Sequence, residues 1–283
     1  MRSDVLELRF GPWRVRATAR AGFGLVITGL DHEAGVAAPV DYVNEVLLGD
    51  EHRDRFFALV DREGLVVCRD DAADIHPSYE DVRGRSSRGR LSQGEYYHHD
   101  GCSGPTKPRV VEIRCPHQAV PRHTHTAVAP FPATLYAMLL ELPIALRTSA
   151  MLAAHHDAVA AGEPLPAEAW DQVQGLVIRA VRRALSAEDA RAYLRAVDVR
   201  AGAHREPWTM GESRYIANAN AGRTMQHRRA YLEPPGERAN GKLVKRWPGH
   251  ALAPPRDDDE AERCGLGAMA VSAAAATRHD GAR

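Results

Sequence analysis

Apolar and polar positions alternate along this chain in two different rhythms. In residues 53–63, Phe56, Phe57 and Val60 fall on one helical face, Gly64 stands where a left-handed stop is needed, and LVVC at 65–68 is an unbroken apolar run. That pattern predicts a helix, a glycine stop and a buried strand. Upstream, GFGLVITGL at 22–30 is glycine-punctuated and β-branched, which predicts a short strand entering a turn at Asp31. In VVEIRC (110–115), Val111, Ile113 and Cys115 alternate with Glu112 and Arg114, the period of a strand with one wet face. Apolar residues then recur at three and four through 133–146 and again through 167–197, predicting two helices, the second longer, with a Gly/Pro turn at 162–166 between them. After Trp208 strand spacing returns in RYIANA, TMQHRRAYL and KLVKRW, with the turn-forming PPGERANG at 234–241.

Strands therefore bracket a helical insert at about 133–200, and the expected architecture is mainly β with flanking helices. A length of 283 residues with 44% hydrophobic side chains can bury a full core, and one domain over 1–250 is expected. The segment 251–283, with PPRDDDEAER and an alanine-rich end, reads as a flexible tail. Lys plus Arg equals Asp plus Glu at 37 each, so no net field favours nucleic acid or an anionic membrane, and a small molecule is the expected partner. Cys68, Cys102, Cys115 and Cys264 form no C-x-x-C pair, and residues 1–5 carry no apolar signal segment; both point to a reduced, cytoplasmic protein. The most apolar stretch, 135–146, is broken by Glu141 and Pro143 and falls short of the roughly 20 residues a membrane helix needs.

His98 and Asp100 stand at i and i+2, on one face of an extended segment, so an imidazole and a carboxylate can meet one cation from the same side. Among fourteen histidines such a spacing arises easily, and its weight comes from His227, an isolated histidine downstream in GRTMQHRR. Two histidines and a carboxylate form the facial triad that leaves positions open on iron(II) for a bidentate 2-oxo acid and O2. The distal carboxylate of such an acid needs a cation. Lys242 and Arg246 are four apart, on one face of a strand, and either can supply it.

Taken in order, these segments resemble the taurine dioxygenase-like family of Fe(II)/2-oxoglutarate-dependent oxygenases. GFGLVITGLD resembles the family's opening strand, FFALVDREGLVVCRD its helix and following strand, and YYHHDG its H-x-D-G stretch. VVEIRC, the RHT turn at 122–124, GRTMQHRRAY and KLVKR follow in family order. The resemblance implies a double-stranded β-helix, or jelly roll, with Fe(II) held by His98, Asp100 and His227 and 2-oxoglutarate contacted by Thr124. The implied reaction is oxidation, most simply hydroxylation, of an unactivated C–H bond of a small molecule, with succinate and CO2 as co-products.

The departures keep alternatives open. PRHTHT replaces the family's glycine turn, so Thr126 competes with Thr124. The carboxylate anchor lies among Arg246, Lys242 and Arg238. A second register, His99-Asp100-Gly101, has the H-x-G form of iron halogenases, and a binding protein of this fold that has lost its metal is the rival from another class. The arginine-rich stretch 71–93 reads as a mobile loop that closes over the site, with Arg88 and Arg90 available to an anionic substrate. His125 is a candidate substrate or supporting contact. His155 and His156 read as surface residues after a helix, Cys102 as a packing residue, and Tyr96, Tyr97, Trp208, Arg228 and Arg229 as pocket lining, core or surface charge.

Overall fold

The computed structural model describes residues 8–69, 80–81, 91–100, 108–115, 124–219, 224–231 and 243–249, with backbone alone for Glu80, Asp81, Thr124 and Tyr231. Ten strands are present among them: β1 (Leu8–Phe10), β2 (Trp13–Ala19), β3 (Leu25–His32), β4 (Leu65–Cys68), β5 (Glu80–Asp81), β6 (Val110–Arg114), β7 (Thr124–Pro130), β8 (Ser213–Ala217), β9 (Met225–Tyr231) and β10 (Val244–Arg246). Five α-helices accompany them: α1 (Arg53–Glu63), α2 (Phe131–Leu140), α3 (Ala150–Ala160), α4 (Trp170–Ala184) and α5 (Ala187–Arg200).

The larger sheet runs β1-β2-β3-β4-β8-β6-β10-β5, with only β3 and β4 parallel. Alternation sorts its side chains. Tyr215 stands opposite Val66 and Glu112, and Glu112 opposite Arg246; Phe56 of α1 meets Tyr215 edge-on at 4.9 Å, so this row faces α1. The next row, Val67, Arg214, Ile113 and Lys245, faces the other way, and Arg214 reaches across to the Thr126 carbonyl at 3.4 Å.

The smaller sheet pairs β7 with β9 from Thr124↔Tyr231 to Pro130↔Met225. Single bridges extend it at both edges, His98 to His227 and Val128 to His204. Its inner face looks at the larger sheet. On its outer face Ala127, Ala129 and Ala230 pack in one apolar cluster with Leu135, Val173, Val177 and Leu194 of α2, α4 and α5. Each fully buried Leu or Val there contributes roughly 1.5–3 kcal/mol.

The expected helix 53–63, its stop at Gly64 (φ 79°) and the strand after it are present. Other boundaries differ. Over 133–146, α2 ends at Leu140 and a 3-10 turn, Ile144–Leu146, follows Pro143, which has no N–H to continue a helix. The long helix expected at 167–197 is two, because Ser186 is extended and its hydroxyl accepts the Asp189 N–H at 3.1 Å, capping a new start. Helix α3 was not anticipated, and it contains His155 and His156, which therefore do not follow a helix. Thr124 opens strand β7, and the rest of the turn expected at 122–124 lies outside the described residues. The tail 251–283, and the loop 71–93 except 80–81 and 91–93, lie outside the described residues.

Candidate metal centre

His98 and His227 face each other across the edge of the smaller sheet. Each backbone N–H donates to the other's carbonyl, at 3.1 and 3.2 Å, and their rings lie 4.4 Å apart. Cross-strand partners share a face, and Asp100, two residues on, joins them. His98 Nε2 is 3.7 Å from Asp100 Oδ1, and His227 Nε2 is 3.8 Å from Asp100 Oδ2. One donor atom from each residue falls within 4.8 Å of the others, the only such cluster of metal-ligating side chains among the described residues.

Local hydrogen bonds fix His98 and Asp100. The Tyr96 carbonyl accepts from His98 Nδ1 at 2.8 Å, which leaves Nε2 with its lone pair directed at the cluster. Asn218, at the end of β8, clamps the Asp100 backbone: its side-chain oxygen accepts the Asp100 N–H at 2.8 Å and its amide donates to Asp100 O at 3.1 Å and Pro108 O at 2.9 Å. One turn earlier, the Glu95 carboxylate accepts the Ser92 N–H at 2.9 Å and the Arg191 guanidinium at 3.0 Å, anchoring the entry to the segment.

Burial sets the protonation states. Desolvation lowers His98 below its usual value, with Asp100 and the Tyr96 carbonyl opposing, and desolvation, reinforced by the neighbouring His98, pushes His227 down to about 3. For Asp100 burial is the largest influence and acts upward, yet the Lys245 ammonium, 3.2 Å from Oδ1, together with His227 and His98 outweighs it and holds the carboxyl well below the usual carboxylate range. Two neutral imidazoles and an ionised carboxylate are the forms a divalent cation binds. Asp100 Oδ2 and His227 Nδ1 are buried without a hydrogen-bond partner. Two nitrogens and one oxygen on one face suit iron(II) with coordination positions left open.

The other predicted residues divide. Thr124 is described by its backbone alone; by alternation Thr124 and Thr126 lie on the His227 face of β7 and β9. Arg246 looks away from the cluster, onto Glu112 and Asn44. Lys242, Arg238, Gly101, Cys102, Arg88 and Arg90 lie outside the described residues. His99 turns to the helical side, edge-on to Phe131 at 4.9 Å, so the histidine that meets His227 is His98. His125 also lies on the helix-facing parity of β7, and its buried ring is lowered by desolvation. Trp208 is buried beneath the Arg214 guanidinium at 3.8 Å, and Tyr97 and Arg228 are core residues joined through Asp198. Sequence reasoning missed Lys245. Leu243 and Val244 are both buried, so nothing in the pattern around β10 marked which parity faces the site.

No protein-family model matches the chain, and no curated protein matches it. Among solved structures, the chain is similar to PvcB from Pseudomonas aeruginosa, at 12% identity over 91% of this chain and 100% of that one, with a TM-score of 0.41. AAD-2 in complex with Mn(II) and N-oxalylglycine aligns at 11% identity over 83% and 98%, TM-score 0.42. A taurine dioxygenase from Burkholderia xenovorans aligns at 14% identity over 82% and 89%, TM-score 0.40. Another PvcB structure is described as an Fe, α-ketoglutarate-dependent oxygenase, at 11% identity and a TM-score of 0.39.

Proposed function

We propose that this protein is an Fe(II)/2-oxoglutarate-dependent dioxygenase that oxidises an unactivated C–H bond of a small molecule, most simply by hydroxylation, with His98, Asp100 and His227 as the iron ligands. The observation that carries this reading is the convergence of those three side chains, in their metal-binding protonation states, within 4.8 Å. The order of antiparallel neighbours supports a double-stranded β-helix over residues 1–250: β5-β10-β6-β8 in one sheet faces the His98 segment, β9, β7 and the His204 segment in the other.

When bound, iron with 2-oxoglutarate and O2 supplies the oxidising power, releasing succinate and CO2. The chain's residues supply position and insulation. His98 is oriented by the Tyr96 carbonyl and Asp100 by Asn218, so two ligands arrive preset. Thr124, or Thr126 two residues on, contacts the oxo acid from β7. Its distal carboxylate is held by a cation of the closing strand region. Among the described residues there, Lys245 reaches the triad, whereas Arg246 is engaged by Glu112 and Asn44; Lys242 and Arg238 remain the alternatives drawn from the family pattern. The buried wall around the triad, with Val128, Met225 and Ile113, keeps water from the reacting bond. The outward turn of His99 supports the His98 register over the halogenase-type His99-x-Gly101 register. No helix among the described residues is long and apolar enough to cross a membrane.

The test is conversion of 2-oxoglutarate to succinate, followed by NMR with Fe(II) and O2. Wild-type protein is expected to form succinate and Asp100→Ala to form none; equal rates in both would refute the assignment. One observation favours a second reading, a metal-free binding protein: Lys245 already neutralises Asp100. That protein would bind 2-oxo acids without retaining iron and form no succinate.

A further inference from the structure

The two strands that carry the triad are joined at that point by a single bridge, His98 to His227, and not by a continuing ladder. One reciprocal pair of hydrogen bonds leaves their register and separation weakly specified. On the opposite face, the residues between and beside the ligands are polar and buried: Tyr97 beside His98, and Gln226 and Arg228 on either side of His227. Each meets a polar side chain from the helical layer. Asp198 of α5 accepts from the Tyr97 hydroxyl at 2.8 Å and takes both Arg228 Nε at 2.8 Å and Nη2 at 2.6 Å. Arg228 Nη1 also donates to the Glu95 carbonyl at 3.3 Å.

Gln174 of α4 and Gln226 exchange amide hydrogen bonds, both at 2.9 Å, and Gln174 donates to the Tyr97 carbonyl at 3.2 Å. Thr134 of α2 donates to the Gln226 side-chain oxygen at 2.7 Å. Asp198 is 1% exposed and Arg228 3%, so this ion pair gave up its hydration to form. Apolar contact between helices and sheet is already provided by Ala127, Ala129 and Ala230. What directional bonds add is fixed geometry: Asp198 ties the His98 segment to β9 through two residues one step from the ligands.

We infer that the helical layer is an outer sphere of the metal centre, with Asp198 as a positioning residue that sets the separation of the two ligand-bearing strands through Tyr97 and Arg228, and Gln174 as its second tie. The inference rests on the metal-site reading above. It predicts that ion binding is sensitive to residues on the far side of the sheet that touch no ligand atom.

The experiment is Mn(II) binding by the full chain, followed by electron paramagnetic resonance, with thermal unfolding recorded alongside. Asp198→Asn is expected to weaken Mn(II) binding roughly 10- to 100-fold, the range for outer-sphere changes at metal sites, and to alter the line shape of the bound ion at saturation. Tyr97→Phe and Gln174→Leu, each removing one tie, are expected to weaken it several-fold. Glu141→Gln, in an exposed pair with Arg200 on the same layer, is expected to leave affinity and line shape unchanged. The line shape at saturation separates positioning from stability, since a merely less stable protein binds the ion with wild-type geometry. Wild-type affinity and line shape in folded Asp198→Asn overturn the inference; if that variant does not fold, the same result in Tyr97→Phe and Gln174→Leu overturns it. Wild-type protein that binds no Mn(II) overturns the metal-site reading and this inference with it, whereas wild-type binding with indifferent variants overturns the inference alone.

Discussion

The two faces of the smaller sheet are built from the same two strand segments, residue by residue in alternation, yet beside the triad they hold their polar groups differently. On the helical face, Tyr97, Gln226 and Arg228 are buried with directed partners from α2, α4 or α5. On the inner face, His98, Asp100 and His227 are gathered without such closure, and Asp100 Oδ2 and His227 Nδ1 have no hydrogen-bond partner. Burying a polar group without a partner costs about 1–3 kcal/mol, a cost that a cation at the triad would offset for Asp100 Oδ2. Tyr97, Gln226 and Arg228 are thus paired within the protein.

The largest expected effect breaks the inner face. Alanine at His98, Asp100 or His227 is expected to reduce succinate formation at least ~1,000-fold while the unfolding midpoint in urea stays near that of the wild type, because these side chains belong to the site more than to the core. A midpoint that collapses together with activity would make the triad structural. Next, Lys245→Ala is expected to raise the 2-oxoglutarate requirement about tenfold or more, the scale of a lost charge-assisted contact. Arg246→Ala should act on stability instead, costing on the order of 3 kcal/mol, because it withdraws a guanidinium from the fully buried Glu112. Exchange of those two phenotypes would return the anchoring role to Arg246.

His204 sharpens the comparison at the far end of the inner row. It pairs with Val128, both ring nitrogens are buried without partners, and burial, then the charge of Arg214, push it down to about 3. The unfolded chain takes up that proton near pH 6.5 and the folded chain only near 3, so folded stability is highest above 6.5 and falls as pH drops through this window. The loss attributable to His204 is up to ~1.4 kcal/mol per pH unit. Urea unfolding across pH 7 to 4 is expected to show a steeper decline for wild type than for His204→Gln, and parallel curves would remove His204 from the account. The smallest effect is expected on the outermost surface: disrupting the exposed Arg200–Glu141 pair should change stability by less than about 0.5 kcal/mol.

Much of the inner face was legible in the sequence. Period two sent His98 and Asp100 to one side, and His227 could be singled out as the isolated downstream histidine, so the triad was readable before any coordinates. The helix 53–63, its glycine stop and the buried strand at 65–68 were readable for the same reason, since a single strong periodicity decided each. The helical face was not legible. Asp198 and Gln174 sit in ordinary amphipathic helices, and their partners Arg228 and Gln226 lie 30 and 52 residues away in sequence, so only the fold brings them together. The parity of β10 was hidden because the strand is three residues long and Leu243 and Val244 are both buried, which is why Lys242 and Arg246 attracted attention and Lys245 did not. The break at Ser186 and the end of α2 before Pro143 were visible in residue type but were overridden by the apolar period that continues past them.

The most direct test of the central claim is an anaerobic titration of the wild-type chain and Asp100→Ala with Fe(II) in the presence of 2-oxoglutarate, read by the visible charge-transfer absorption of the chelated iron and by bound metal per chain. One iron per wild-type chain with the absorption band, and neither in Asp100→Ala, is the predicted result. Wild-type protein that retains no iron, or Asp100→Ala that gives the same band and stoichiometry, would contradict it.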